Sequence, residues 1–204
     1  MNLENDMKTN NKFLYTRFEN LIWFVVPKTA TRTMHTYFKE HKLDFPTERD
    51  NQGKLPNDYN NCFKFVFVRN PWDRLLSTWK DKIVKQWSDE YHEDFHKWRI
   101  KRYEKYKNKE FNFFVKDVIP SGGRHTELMC NLFDRNVNFI GRFENLEKDF
   151  NIICDKIGIP RQKLPHRNKS QHKHYTEYYD DETREIVAEK YAKDIEYFGY
   201  KFGD

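Results

Sequence analysis

The chain contains little glycine and lacks the glycine-rich phosphate loop. Only 7 of its 204 residues are glycine. The spacing Gly-x4-Gly-Lys-Ser/Thr, whose backbone amides cradle nucleotide phosphates, occurs nowhere. This absence disfavours a kinase-like nucleotide enzyme, so any phosphate site must be built differently.

Cysteine and long apolar runs are also scarce. Cys62, Cys130 and Cys154 are far apart and odd in number, with no Cys-x-x-Cys spacing, which is typical of reduced core residues in a cytosolic protein. The polar segment 1–11 has no signal-peptide core, and no run approaches the ~20 apolar residues of a membrane span. We therefore expect a soluble, cytoplasmic enzyme with no membrane partner.

Positive charge is in modest excess. Lysine and arginine number 37 against 32 aspartates and glutamates, which gives a formal net charge of +5. Such an excess suits an anionic ligand and is also compatible with nucleic acid. The length allows one α/β domain with a proper core. We expect that single domain to cover residues 1–204, with residues 1–12 as a flexible N-terminus.

The most informative segment is a hydroxyl-rich turn between a predicted strand at 21–26 and a predicted helix at 32–41. It reads Pro27-Lys28-Thr29-Ala30-Thr31-Arg32-Thr33. Backbone N–H groups without intrahelical partners and the positive end of the helix dipole converge at such a junction. The turn therefore predicts a site for a phosphate-type anion.

A second strand–helix junction carries Arg69 and Ser77. The run 63–68 predicts a buried strand, and Pro71 can open a helix over 71–87 because its missing N–H costs nothing there. Arg69 then follows the carboxyl end of a strand while Ser77 faces back from the helix. Open α/β sheets bind ligands at this edge.

The remaining pattern predicts an α/β fold with a parallel sheet flanked by helices. The other predicted helices are 91–107, 110–118, 125–133, 145–157 and one starting near Asp180. A further strand is predicted at 137–141, a turn at 120–123, and loops at 44–61 and 160–173.

The two junctions together resemble those of the sulfotransferase superfamily. The likeness is closest to the carbohydrate sulfotransferases, whose second motif reads Arg-x-Pro-x-x-Arg-Leu-x-Ser, and it continues through 139–146 and, weakly, 191–200. It implies a P-loop-like sulfotransferase fold that moves the sulfuryl group of 3′-phosphoadenylyl sulfate (PAPS) to an acceptor hydroxyl without a metal. That acceptor is expected on a carbohydrate or small molecule. Eukaryotic members of this group are typically anchored in the Golgi membrane, whereas we expect no anchor here.

The resemblance also implies roles for the site residues. The turn 27–33 would hold the 5′-phosphosulfate, with Lys28 following the charge on the leaving group. Arg69 and Ser77 would grip the 3′-phosphate. Arg32 replaces a Ser or Thr of the family, and it could bind the anion or point into solvent.

Two residues of the third motif are ambiguous. Phe143 matches an aromatic residue near the adenine, although core packing fits it equally well. Arg142 could reach a phosphate or the acceptor, or form an ion pair with Glu144.

The acceptor hydroxyl needs a base, and histidine has a suitable pKa. We predict His125, which follows a Gly-Gly turn and opens a predicted helix where carbohydrate relatives often carry a histidine. It could instead cap or pack that helix, or bind the acceptor. His35, one helical turn beyond the loop, is the second candidate and could contact the substrate. An unidentified Asp or Glu is the third.

Two competing patterns remain. His92-Glu93-Asp94-Phe95-His96 matches a zinc motif, but its charged neighbours favour a solvated helix face. The basic run 97–109 is interleaved with Trp98, Tyr103 and Tyr106. It fits a solvated face, a guide for a uronic-acid glycan, or a non-catalytic phosphate- or nucleic-acid-binding module.

Overall fold

The chain divides into two compact units. The computed structural model describes residues 13–43, 55–84, 103–161, 164 and 173–204. Unit 1 comprises Met1–Val68 and Met129–Lys169, and unit 2 comprises Arg69–Leu128 and Ser170–Asp204. The strands are β1 Tyr15–Phe18, β2 Leu21–Phe24, β3 Phe63–Val68 and β4 Phe139–Arg142. The helices are α1 Thr31–Glu40, α2 Pro71–Trp79, α3 Phe111–Ser121, α4 Leu146–Ile157, α5 Asp181–Lys190 and α6 Ala192–Phe198.

Unit 1 contains a four-stranded sheet in the order β1-β2-β3-β4. The pairs β2–β3 and β3–β4 are parallel. The predicted α/β class, with a mostly parallel sheet flanked by helices, is confirmed. Among the strands of the described residues, β1 and β2 pair antiparallel, and the sequence analysis missed β1.

An aromatic core joins α1 and α4 to one face of the sheet. The rings of Trp23 and Phe65, on neighbouring strands, stack with centroids 6.1 Å apart. Phe150 of α4 contacts Tyr37 and Phe38 of α1. All these side chains are buried, and aromatic pairs in such edge and offset geometries stabilise a core beyond their buried area. The core thereby fixes α1 immediately after the end of β2.

Gly141 of β4 lies opposite Phe67 of β3, and the Phe67 ring covers it. A Cβ at position 141 would lie 2.7 and 2.8 Å from two carbons of that ring. We expect Gly141→Ala to lower the free energy of unfolding by about 3 kcal/mol, because overpacking forces a buried ring to move.

Chemical denaturation of Gly141→Ala beside Gly158→Ala checks this expectation. Gly158 ends α4 at φ +69, and a Cβ there meets no atom within 4 Å. Its substitution should cost only about 1 kcal/mol of backbone strain. Equal destabilisation by the two substitutions would contradict the role given to the ring.

Unit 2 is helical. After α2 the chain makes a π-helical turn at Lys80–Val84, and short 3₁₀ turns lie at Glu104–Tyr106 and Tyr175–Tyr178. Its core includes Leu76, Phe114 and Val187. Asp180 caps α5 by accepting a hydrogen bond from the Thr183 amide at 2.8 Å, which agrees with a last helix starting near Asp180.

Several predicted boundaries differ from the structure. The strand at 21–26 ends at Phe24, because the Val26 carbonyl bonds to hydroxyls of the following loop. Helix α3 runs on through Pro120, so the turn begins at Gly122. The predicted helix at 125–133 is wrong. Residues 124–126 form a turn, followed only by a 3₁₀ turn at Met129–Asn131.

Some predictions lie outside the described residues. These are the N-terminal segment 1–12, the loop 44–54, the helical stretches 85–87 and 91–102, and most of 160–173. The extent of one domain over residues 1–204 stays a prediction.

Candidate functional site

The loop between β2 and α1 adopts an unusual backbone. Lys28 has φ +73 and Ala30 has φ +66, the left-handed region that residues with a Cβ seldom occupy. Both the Thr29 and the Thr31 hydroxyl donate to the Val26 carbonyl, at 2.9 and 3.0 Å. The loop is therefore wound around one carbonyl and held in a strained shape, as is common at binding sites.

The end of this loop presents donors to an anion. The first backbone bond of the α1 ladder runs from Met34 N–H to the Ala30 carbonyl at 3.1 Å, so the amides of Thr31 and Thr33 have no intrahelical acceptor. No acidic residue lies in the first turn. Within the described part of the chain, the Thr33 hydroxyl also makes no hydrogen bond. Amides, one hydroxyl and the helix dipole thus favour an anion here.

The two loop threonines serve the backbone instead. A hydroxyl has a single proton to donate, and those of Thr29 and Thr31 are used on Val26. Thr29 is also buried. Their predicted contribution to anion binding therefore reduces to their amides and to the shape of the loop.

Three further predicted residues lie in unit 1. His35 packs its ring against Trp23 at 4.8 Å, and burial lowers the pKa of His35, which favours the neutral imidazole. Arg142 ends β4, where its amide donates to Asp149 at 2.7 Å. Phe143 follows at the same end of the strand and is half-buried, so it lies at the sheet's carboxyl edge and outside the buried core.

Arg69 and Ser77 lie on the same side of α2 and its lead-in, in unit 2. Arg69 is nearly buried, and its Nε–H donates to Asp73 at 2.8 Å. Asp73 is four residues before Ser77, so all three share a face of α2 and its lead-in. The Ser77 hydroxyl has no hydrogen-bond partner among the described residues, and the residue is half-buried. Asp73 thus orients the guanidinium, a role that the sequence analysis missed.

The second arginine of this motif is buried. Arg74 is 1% exposed and donates to the carbonyls of Glu127 at 2.8 Å and Arg124 at 3.5 Å. Burial lowers the pKa of Arg74, and Tyr191, Asp194 and Glu127 oppose that shift. This residue supports the backbone of the turn that carries His125.

His125 is half-buried in that turn. Its carbonyl lies 3.4 Å from the Thr78 hydroxyl, whose proton goes to the Arg74 carbonyl at 3.1 Å, so the turn lies against the helix that carries Ser77. Burial lowers the pKa of the adjacent Arg124, and the charge of Arg74 lowers it further. Unit 2 therefore brings Ser77, a guanidinium-rich cluster and a histidine to the neighbourhood of one helix.

The competing sites have less support. Tyr103 and Tyr106 are buried, and Lys105 pairs with Asp117, so these tyrosines cannot serve as stacking platforms. The zinc-motif residues 92–96 lie outside the described part of the chain. Across the described ranges, no group of three or more His, Cys, Asp or Glu could hold a metal ion. The expectation that no metal is needed stays a prediction.

The chain belongs to the sulfotransferase family, whose family model matches residues 11–201. This agrees with the resemblance drawn from the strand–helix junctions. No solved structure gives a significant match.

The curated relatives include several carbohydrate sulfotransferases. Human carbohydrate sulfotransferase 9 is 31% identical over 153 residues, which cover 67% of this chain and 33% of the relative. Carbohydrate sulfotransferase 14 of Danio rerio is 29% identical over 179 residues, 77% of this chain and 47% of the relative. Carbohydrate sulfotransferase 10 of Xenopus laevis is 26% identical over 171 residues, 70% and 48%. The chain thus spans about a third to a half of these relatives' length.

The expected cytoplasmic localisation is wrong. The relatives are carbohydrate sulfotransferases, the group for which the resemblance implies Golgi membrane anchoring. The expectation was based on the absence of a signal peptide and of a long apolar run. Because the chain matches only part of its relatives' length, that absence does not show where the protein is located. No helix in the described ranges is long and apolar enough to cross a membrane. The three cysteines are buried and none forms a disulfide within the described ranges, as predicted.

Proposed function

We propose that this chain transfers the sulfuryl group of PAPS to a hydroxyl of a carbohydrate. The observation that carries the proposal is the strained loop at residues 27–30, which leads into an α1 N-terminus with no acid in its first turn. Membership of the sulfotransferase family supports the reaction class, and the names of the relatives support the acceptor class.

In this proposal the residues that bind the donor are those that the family resemblance assigns. The loop of unit 1 binds the 5′-phosphosulfate through the amides of Thr31 and Thr33, the Thr33 hydroxyl and the Lys28 ammonium. Arg32 adds a second cation beside the loop. In unit 2, Arg69 and Ser77 bind the 3′-phosphate, and Phe143 of unit 1 lies beside the adenine. Asp73 holds the plane of the Arg69 guanidinium, which favours bidentate phosphate binding.

The reaction is an in-line displacement. The acceptor oxygen forms a bond to sulfur as the bond from sulfur to the bridging oxygen breaks, and the acceptor's proton passes to a base. Negative charge grows on the bridging oxygen, where fixed amides and an ammonium stabilise it. His125 is the proposed base. His35 remains the second candidate, since its neutral imidazole could accept a proton, and Arg142 is proposed to bind the acceptor or a phosphate.

We expect adenosine 3′,5′-bisphosphate (PAP), the product nucleotide, to stabilise the chain against heat. A ligand at about 100 times its dissociation constant adds about 2.7 kcal/mol to the free energy of unfolding. Thermal-shift titrations should compare PAP with AMP, ADP and ATP, with and without Mg²⁺. AMP is the matched control, because it lacks only the 3′-phosphate.

Stabilisation by PAP alone supports the proposed donor site. Stabilisation by ATP with Mg²⁺ but not by PAP, or by no nucleotide, would defeat the proposal. A positive result leads to transfer assays with radiolabelled PAPS and a panel of neutral and uronic-acid glycans.

A further inference from the structure

A turn in unit 2 is held by side chains as well as by its own backbone. Its backbone bond runs from the Thr126 amide to the Gly123 carbonyl at 2.8 Å. Three carbonyls of the turn also accept hydrogen bonds from side chains distant in sequence. Arg74 donates to the carbonyls at 124 and 127, at 3.5 and 2.8 Å, and Tyr191 donates to that at 126 at 2.9 Å. His125 lies at the centre of this turn.

The donors belong to the interior of unit 2. Arg74 and Tyr191 are each 1% exposed. Burial raises the pKa of Tyr191 to about 12, so its phenol keeps the proton that it donates to Thr126 at 2.9 Å. Asp194, also buried, favours the charged form of Arg74. A donor set of this kind is rigid because its own packing fixes each rotamer.

These bonds replace the ladder of a helix. In a helix the carbonyl of residue i accepts from the amide of residue i+4, and the sequence predicted a helix here. Instead, the carbonyls on both sides of His125 are fixed from outside the segment. The backbone that carries the imidazole therefore has a defined position, although the segment has no regular secondary structure.

We propose that Arg74 and Tyr191 are positioning residues, which fix the turn at 124–127 so that His125 meets the acceptor hydroxyl in one orientation. The inference rests on the proposed function, in which His125 is the base. It assigns a purpose to the second arginine of the Arg-x-Pro-x-x-Arg-Leu-x-Ser pattern that is separate from nucleotide binding. General-base catalysis depends on such placement, because the base must lie within hydrogen-bond reach of the proton that it accepts.

The test compares two tyrosines of unit 2 that make the same kind of bond. Tyr191→Phe removes a hydroxyl that donates to the Thr126 carbonyl at 2.9 Å. Tyr179→Phe removes one that donates to the Trp72 carbonyl at 2.8 Å. Both phenols are buried enough for their pKa to be raised, so similar shifts in Tm are expected. Only the first should quicken amide hydrogen exchange in residues 124–128.

The kinetic readout separates positioning from stability. With PAPS and the best glycan of the panel, Tyr191→Phe should lower kcat by about 10- to 100-fold and leave KM for PAPS unchanged. Tyr179→Phe should leave both unchanged. In a His125→Ala background, Tyr191→Phe should cause no further loss, because coupled residues are not additive.

Three results would overturn the inference. They are equal kcat for the two tyrosine variants, unchanged exchange in Tyr191→Phe, and an undiminished effect of Tyr191→Phe without His125. Each can occur in a chain that still binds PAP and transfers sulfuryl groups, so the proposed function would survive. A wild-type chain that neither binds PAP nor transfers would overturn the proposed function, and the inference with it.

Discussion

Replacing Lys28 with alanine is expected to lower turnover by about 10²–10³-fold, the usual cost of removing one donor from a developing negative charge. Lys28 occupies a left-handed backbone position in the loop that precedes α1. Its ammonium is proposed to follow the charge that appears on the bridging oxygen as the sulfur–oxygen bond breaks. Single-turnover kinetics with PAPS at saturation measures this step.

Lys39→Ala is the control for loss of a positive charge from the same segment. Lys39 is exposed in the last turn of α1, where exposed charges contribute little. The Lys39→Ala variant should leave turnover unchanged. Near-normal turnover in Lys28→Ala, with PAP binding intact, would refute the leaving-group role and leave the loop as a binding element only.

Replacing Arg69 with alanine is expected to weaken PAP binding by at least about 30-fold. Removing one partner of a nearly buried charge pair costs about 2 kcal/mol or more, and about 1.4 kcal/mol is tenfold in affinity. AMP binding should change little, because AMP lacks the 3′-phosphate that Arg69 is proposed to hold. Titration calorimetry with both nucleotides gives the comparison.

Two further variants serve as controls for the Arg69→Ala result. Arg69→Ala with Asp73→Ala removes both partners of the 2.8 Å pair, so no carboxylate is left without its cation. Arg161→Ala removes a guanidinium whose Nε donates to Asp155 at 2.7 Å, but on an exposed surface. The double variant should bind PAP as poorly as Arg69→Ala, and Arg161→Ala should bind normally. Unchanged PAP affinity in Arg69→Ala would remove Arg69 from the site.

The elements of unit 1 were largely predictable from local signals. The apolar run 63–68 is β3, residue for residue, and α4 ends at Gly158 with φ +69 where the sequence placed a stop. β1 was missed because its four residues mix polar and aromatic side chains, and only pairing with β2 reveals it. The left-handed Lys28 and Ala30 were also beyond prediction, since a lysine and an alanine give no sign of positive φ.

The candidate site in unit 2 was less predictable. Arg69 and Ser77 were identified at a predicted strand–helix junction, but the sequence analysis gave no role to Asp73, the partner of Arg69. The helix predicted at 125–133 failed because Arg74 and Tyr191, about 50 and 65 residues away in sequence, bind carbonyls that a helix would use. Hydrogen bonds from side chains distant in sequence override local helix propensity, and the sequence of the segment itself does not indicate them.

Gly141 shows that a shared motif can preserve architecture as well as chemistry. It lies one residue before Arg142 and two before Phe143, in the segment that resembles other sulfotransferases. Yet its requirement comes from the Phe67 ring that covers it, whatever nucleotide or sugar the protein binds. A side chain at position 141 would require this ring to move. Similarity over residues 139–146 therefore reflects shared packing at least in part. Between distant relatives it indicates a shared fold rather than a shared ligand.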